Sequence, residues 1–163
     1  MYNIMFISVT HGKVPPTKYH HYEELVESLK KINEQWPKLT RLYSLSEKTI
    51  SGRELWVLQI STDANNVRTN LKPMVKYIAN MHGNEPVGRE MMLALPEYLL
   101  KTYADGVDQD IKNLIENTDI HIMPSMNPDG FERSEMGICS GYDHKSGRTN
   151  NNQVLKISLS SVP

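Results

Sequence analysis

The chain runs to 163 residues, 39% of them hydrophobic, which suffices for one buried core and is unlike a disordered, collagenous or disulfide-dense composition. Eighteen Lys and Arg against nineteen Asp and Glu leave a formal charge of -1, so no overall field recruits nucleic acid or an anionic membrane, and any charged partner has to be met locally. The lone Cys139 excludes an internal disulfide and a thiolate zinc knuckle.

Residues 1–18, with Pro15 and Pro16 in tandem, are expected to be a disordered N-terminal segment. They show no basic n-region and no apolar core of signal-peptide length, and no run in the chain approaches the ~20 apolar residues of a membrane-spanning helix. From Tyr22 to Trp36, the residues Leu25, Val26, Leu29, Ile32 and Trp36 recur at helical spacing, and Pro37 stops the helix. Leu39–Leu45 and Glu54–Ile60 are β-compatible runs joined through Ser51-Gly52, which predicts a hairpin. After a polar loop, Met74–Ala79 reads as a buried strand that runs directly into Asn80-Met-His-Gly-Asn-Glu-Pro.

Pro86 suits the first turn of a helix, and Val87 to about Lys101 continues it with Met91, Met92, Leu95, Leu99 and Leu100, interrupted by a kink or break at Pro96. Asp108–Asn117 predicts another helix with Ile111, Leu114 and Ile115 turned inward, and Ile120–Met123 a further short strand. Met123–Glu132 reads as a Pro/Gly turn leading into a loop. The methionines at 81, 91, 92, 123 and 126 lie on apolar elements and are expected to fill the core. Alternating strands and helices imply an α/β sheet.

The chemistry concentrates at His82-Gly83-Asn84-Glu85, just after a strand. An imidazole and a carboxylate three positions apart on a turn can reach one zinc ion, and Gly83 helps the backbone fold back. A catalytic zinc site needs three protein ligands and an open position, so this pair alone is also compatible with an ordinary surface loop. His20 and His21 precede the first helix, His121 is explained by strand packing, and His144 by a surface loop. None of the four is recruited as a ligand.

The stretches Tyr19-His-His-Tyr-Glu-Glu-Leu, Ser51-Gly-Arg-Glu-Leu-Trp-Val-Leu, Tyr77 to Glu90 and Ile120-His-Ile-Met-Pro-Ser-Met-Asn-Pro-Asp-Gly-Phe-Glu occur in the order found in the zinc metallocarboxypeptidases. They resemble the subfamily of carboxypeptidases D, E, M and N. The resemblance spans about residues 19–150 and implies the N-terminal part of a mixed α/β sheet with helices on both faces, a partial peptidase domain followed by a divergent tail at 151–163. It implies one zinc ion with His82 and Glu85 as two of its three protein ligands, and hydrolysis of the last residue, Lys or Arg, from peptide or protein C-termini. The secretory pathway or the extracellular space is the location it implies, and nucleic acid is not an expected partner.

Ser146-Gly147-Arg148-Thr149-Asn150 resembles the stretch whose arginine stabilises the oxyanion of the tetrahedral intermediate, so Arg148 is the catalytic candidate. The alternative for Arg148 is a solvated loop residue. Beyond it the pattern departs. Leu155 stands where the family has an aspartate behind a ligand histidine, and Ile157 and Ser158 stand where an Asn-Arg pair clamps the substrate carboxylate. The family's third ligand, its catalytic glutamate and its tyrosine have no counterpart in these residues.

The chain as written is therefore expected to be inactive. It is open to a second reading as a non-catalytic isoform that binds peptide or a partner covering an exposed sheet edge, and to a third as an incomplete gene model. A zinc acylase of the aspartoacylase type uses a similar His-x-x-Glu pair, and the long flanking match argues against it.

Overall fold

The computed structural model describes residues 19–135 and 147–149. The expected N-terminal segment 1–18, Cys139, His144 and the tail 151–163 lie outside the described residues. Helix α1 (Tyr22–Gln35) opens at His21, whose N–H donates to Glu24 at 3.0 Å, and it buries Leu25, Val26, Leu29 and Ile32 as their spacing requires. Strands β1 (Thr40–Lys48) and β2 (Glu54–Ile60) form the expected hairpin, which turns at Gly52 with φ 80°. Strand β3 (Met74–Ile78) leads to helix α2 (Val87–Asp105), then helix α3 (Gln109–Asn117), strand β4 (Asp119–Met123) and a short helix α4 (Pro128–Arg133).

The sheet order is β1-β2-β4-β3, antiparallel except for the parallel β3/β4 pair. Its pairing puts Leu42, Leu58, Ile60, Ile120 and Ile122 on one face, where α1, α2 and α3 supply Leu29, Leu100 and Ile115 to the main core. The opposite face carries a smaller cluster of Leu55, Val57 and Met123, with Tyr43, Leu45, Ile78 and Met126 half-buried around it. The mixed α/β class is as expected, and among the described residues α1, α2 and α3 all cover the first face. Among the described residues no helix is long and apolar enough to cross a membrane.

Some local expectations fail for physical reasons. Helix α2 runs through Pro96 without a break and ends at Gly106 in the left-handed region. Pro96 is fully buried among Leu93, Leu99 and Leu100, so packing offsets the hydrogen bond its ring removes. The predicted turn at 123–132 contains α4, because Asn127 accepts from the Gly130 N–H at 2.9 Å and Pro128 is tolerated in the first helical turn. Met81 and Met91, expected in the core, are each 58% exposed, and Leu114 also lies at the surface. Apolar character alone did not say which side of a helix or loop faces inward.

Candidate metal and oxyanion site

Two adjacent parallel strands end together, and the loops that leave them build the site. Their main chains stay paired beyond the sheet: Ala79 N–H donates to Met123 at 3.0 Å, Met126 N–H to Ala79 at 3.0 Å, and Asn127 N–H to Asn80 at 3.0 Å. Asn80 then turns the chain. It is buried with φ 55°, a left-handed conformation that asparagine tolerates better than most side chains. Its amide nitrogen donates to the carbonyls of His82, Gly83 and Glu85 at 2.9, 3.1 and 3.2 Å, and its Oδ1 accepts from the Ser125 hydroxyl at 2.7 Å. One side chain thereby sets the curvature of the whole His82–Glu85 loop.

Gly83 is required by closeness. A Cβ at Gly83 would collide with the backbone of Gly130 and Gly147, and one at Gly130 would collide with Gly147 and Asn127. Gly147 has φ 67° and presses on Gly130 in turn. Gly83 was expected to help the backbone fold back; it lies in a turn but outside the left-handed region, and what its missing side chain supplies is room. Three backbone segments meet at these glycines, and the contact delivers Arg148 to the loop.

Here His82 Nδ1 lies 3.0 Å from Glu85 Oε2, and Arg148 Nη1 donates to Glu85 Oε1 at 2.8 Å. Both members of the pair are open to solvent, His82 41% and Glu85 55% exposed. The hydrogen bond from His82, followed by that from Arg148, holds the Glu85 carboxyl below its ordinary range, so it is an anion at neutral pH. All three sequence candidates are thus brought into one cluster.

The residues that hold this cluster were not singled out beforehand. Asp129 in α4 accepts from the Thr49 hydroxyl at 2.9 Å, the Ser51 N–H at 3.1 Å and Arg53 Nη1 at 2.8 Å, which fixes α4 to the β1–β2 turn. Burial pushes its carboxyl up, but these donors outweigh burial and the net shift is downward. Arg89 in the first turn of α2 is fully buried, with its guanidinium 4.0 Å from the Phe131 ring centroid and Nε and Nη2 donating to the His20 carbonyl at 3.3 and 2.8 Å. Burial pulls its pKa down to about 10. His20 closes on Glu90 through its N–H at 2.9 Å and its Nδ1 at 2.6 Å. His20 and His21, set aside as ligands, serve as ties between α1, α2 and α4, since His21 Nδ1 meets Glu132 at 3.0 Å. Asn at a strand end just before a functional loop was the available signal for Asn80, whereas nothing local marked Gly130 or Arg89.

The donor set fits zinc as part of a site. An imidazole nitrogen and a carboxylate oxygen bind zinc at about 2.0–2.2 Å, which in tetrahedral geometry puts the two donors roughly 3.3 Å apart. The observed 3.0 Å separation is close to that edge. Among the described residues no group of three or more His, Cys, Asp or Glu side chains forms a complete metal set.

A sequence profile of the zinc carboxypeptidases matches residues 25–156. Human carboxypeptidase D is 46% identical over 134 residues, which cover 82% of this chain and 9% of that protein. The human carboxypeptidase N catalytic chain is 42% identical over 137 residues, 84% of this chain and 29% of that one. The chain thus spans less than a third of the length of these curated relatives. Bovine thrombin-activatable fibrinolysis inhibitor, solved with tick carboxypeptidase inhibitor, superposes with a TM-score of 0.61 at 20% identity over 82% of this chain and 37% of its own. Carboxypeptidase A from Helicoverpa armigera gives a TM-score of 0.58 at 22% identity over 82% of this chain and 38% of its own. These structures share its fold, and the profile match across most of its length decides the assignment: the chain belongs to the zinc carboxypeptidase family.

Proposed function

We propose that His82 and Glu85 are two protein ligands of a catalytic zinc ion and that Arg148 is the oxyanion-stabilising cation of a metallocarboxypeptidase that removes a C-terminal Lys or Arg from peptides or proteins. The observation that carries this reading is the convergence of His82, Glu85 and Arg148 at the carboxyl ends of two parallel strands, where α/β sheets hold their ligands. Zinc held there supplies a Lewis acid for the scissile carbonyl and lowers the pKa of a water to about 7. Glu85 offers Oε2 beside His82 while Arg148 engages Oε1, so the arginine orients the carboxylate, and His82 first and Arg148 second hold its pKa down. Arg148 is 35% exposed and lies beside the ligand pair, a position from which a guanidinium can meet negative charge developing on a substrate oxygen. A location in the secretory pathway or outside the cell belongs to the same reading.

The 163 residues themselves are proposed to be catalytically silent, because they contain no counterpart of the third ligand, the carboxylate clamp or the general base. The second reading is a non-catalytic binding module. Peptides ending in Lys or Arg, incubated with the purified 163-residue chain and zinc, are expected to lose their last residue no faster than in buffer. Zinc-dependent release that His82→Ala abolishes would establish that the chain completes its site by itself.

A further inference from the structure

The loop at residues 61–73, between β2 and β3, crosses the end of the sheet where β4 begins, opposite the end that carries His82 and Glu85. Polar side chains hold it in one shape. Asp63 Oδ2 accepts from the Thr69 N–H at 3.2 Å and from Lys72 Nζ at 3.3 Å. Lys72, whose side chain is 4% exposed, also donates to the Thr62 hydroxyl at 3.0 Å. The Arg68 guanidinium donates to the Lys72 carbonyl and lies 3.4 Å from Asp119. Asn65 ties the loop to the connection between α1 and β1, donating to the carbonyls of Pro37 and Thr40 at 2.8 and 2.9 Å.

This bracing holds two aliphatic side chains out in water, Val67 at 94% and Leu71 at 99% exposure. Leu71 also takes φ 64°, a left-handed conformation that costs a leucine free energy and that asparagine or glycine adopts more easily. A single exposed aliphatic residue needs no explanation. A braced loop that strains its backbone while presenting two of them points to a surface that receives them.

Such a surface lies beside the loop on the same chain. Trp36, Pro37, Leu39 and Tyr103, where α1 and α2 end, line an apolar groove of about 690 Å³ that is open to solvent. Val67 follows Asn65 by two residues, at most about 7 Å of chain, and Asn65 is bonded to the groove wall at Pro37. Prongs and groove are therefore neighbours, and the exposure of the prongs shows that neither fills the groove of its own chain. A two-fold axis between neighbouring patches satisfies both at once, since each copy then gives and receives.

We propose that a second copy of this chain docks here, each copy inserting Val67 and Leu71 into the Trp36–Tyr103 groove of the other in a closed, two-fold symmetric dimer. Aromatic walls receive the aliphatic prongs as an interface core, and the pre-set loop loses little freedom on binding. The His82–Glu85 loop, at the other end of the sheet, stays accessible. This proposal does not rest on the zinc reading.

Sedimentation equilibrium of the 163-residue chain over a wide range of concentrations tests it, and the wild type is expected to pass from monomer to dimer and no further. Leu71→Asn removes a prong while suiting the left-handed backbone. Gln35→Arg puts a charge over the groove in the last turn of α1, where a cation suits the helix. Each is expected to raise the dimer dissociation constant by about tenfold or more, with thermal unfolding no lower than in wild type. Mixed together, the two variants are expected to associate more tightly than either alone, because the prongs of the Gln35→Arg chain meet the intact groove of the Leu71→Asn chain. Should one of them fail to fold, Val67→Ser, at a position in full contact with water, supplies the same comparison. A wild type that stays monomeric at every concentration, growth beyond the dimer, or equal association of wild type and variants would overturn the proposal. So would a monomer that binds phosphatidylcholine–phosphatidylserine vesicles in a way that Leu71→Asn abolishes, since the prongs would then serve a lipid surface.

Discussion

Two histidines of this chain sit beside carboxylates at comparable distances and do opposite things. His82 meets Glu85 at 3.0 Å on a loop, 41% exposed, with Arg148 drawn in from a distant segment. His121 lies 3.3 Å from Asp119 inside β4 and is only 3% exposed, with its other nitrogen 2.9 Å from the Tyr43 hydroxyl. The first pair keeps donor atoms facing solvent, where a metal and a substrate can reach them. The second turns its polar atoms toward Gln59, Tyr43 and Arg68 and seals them between strands. Access, far more than residue type or separation, distinguishes a pair that a metal could reach from one closed inside the sheet.

The largest expected effect breaks the first pair from behind. Gly83→Ala forces a Cβ into the backbone of Gly130 and Gly147, contacts with no flexible side chain that can yield. It is expected to lower unfolding stability by about 3 kcal/mol or to detach Arg148 from Glu85, measured by denaturant unfolding and by zinc affinity. Wild-type values for both quantities would mean that the three-segment contact does not hold the site together.

A smaller effect sharpens the second pair. Burial lowers the His121 pKa below its ordinary 6.5, against the opposing pull of Asp119 and with help from Lys76 and Arg41. A depressed folded-state value means that the unfolded chain binds the proton first as pH drops. The stability from neutral His121 is therefore fully present above the unfolded value near 6.5 and is lost as pH falls through the folded one. Unfolding at neutral and mildly acidic pH is expected to show His121→Gln losing less stability on acidification than wild type. Equal losses would show that the buried imidazole does not drive the acid response.

How much of this was readable beforehand follows the range of the interactions. Helix α1, the hairpin and the strand before His82 rest on local periodicity and turn residues, and the sequence carries those directly. His82, Glu85 and Arg148, which the fold brings together, were singled out through the resemblance, since the His-x-x-Glu spacing alone was also compatible with an ordinary surface loop. What escaped was nonlocal. Gly83, Gly130 and Gly147 matter because their segments touch, and Arg89 matters because Phe131 and His20 close around it. Met81 and Met91 failed as core residues for the same reason: a side chain's burial depends on which element lies opposite. Pro96 shows the limit of a local rule, since a buried helix face outweighed the lost hydrogen bond.

Zinc titration of the 163-residue chain, followed by competition with a metal-binding dye, tests most directly whether the exposed pair is the metal pair. Binding is expected to be weak and to fall by roughly tenfold or more in both His82→Ala and Glu85→Gln, with folding intact, while His121→Gln binds as wild type does. Equal zinc affinity in wild type, His82→Ala and Glu85→Gln would contradict the assignment of these two residues as ligands.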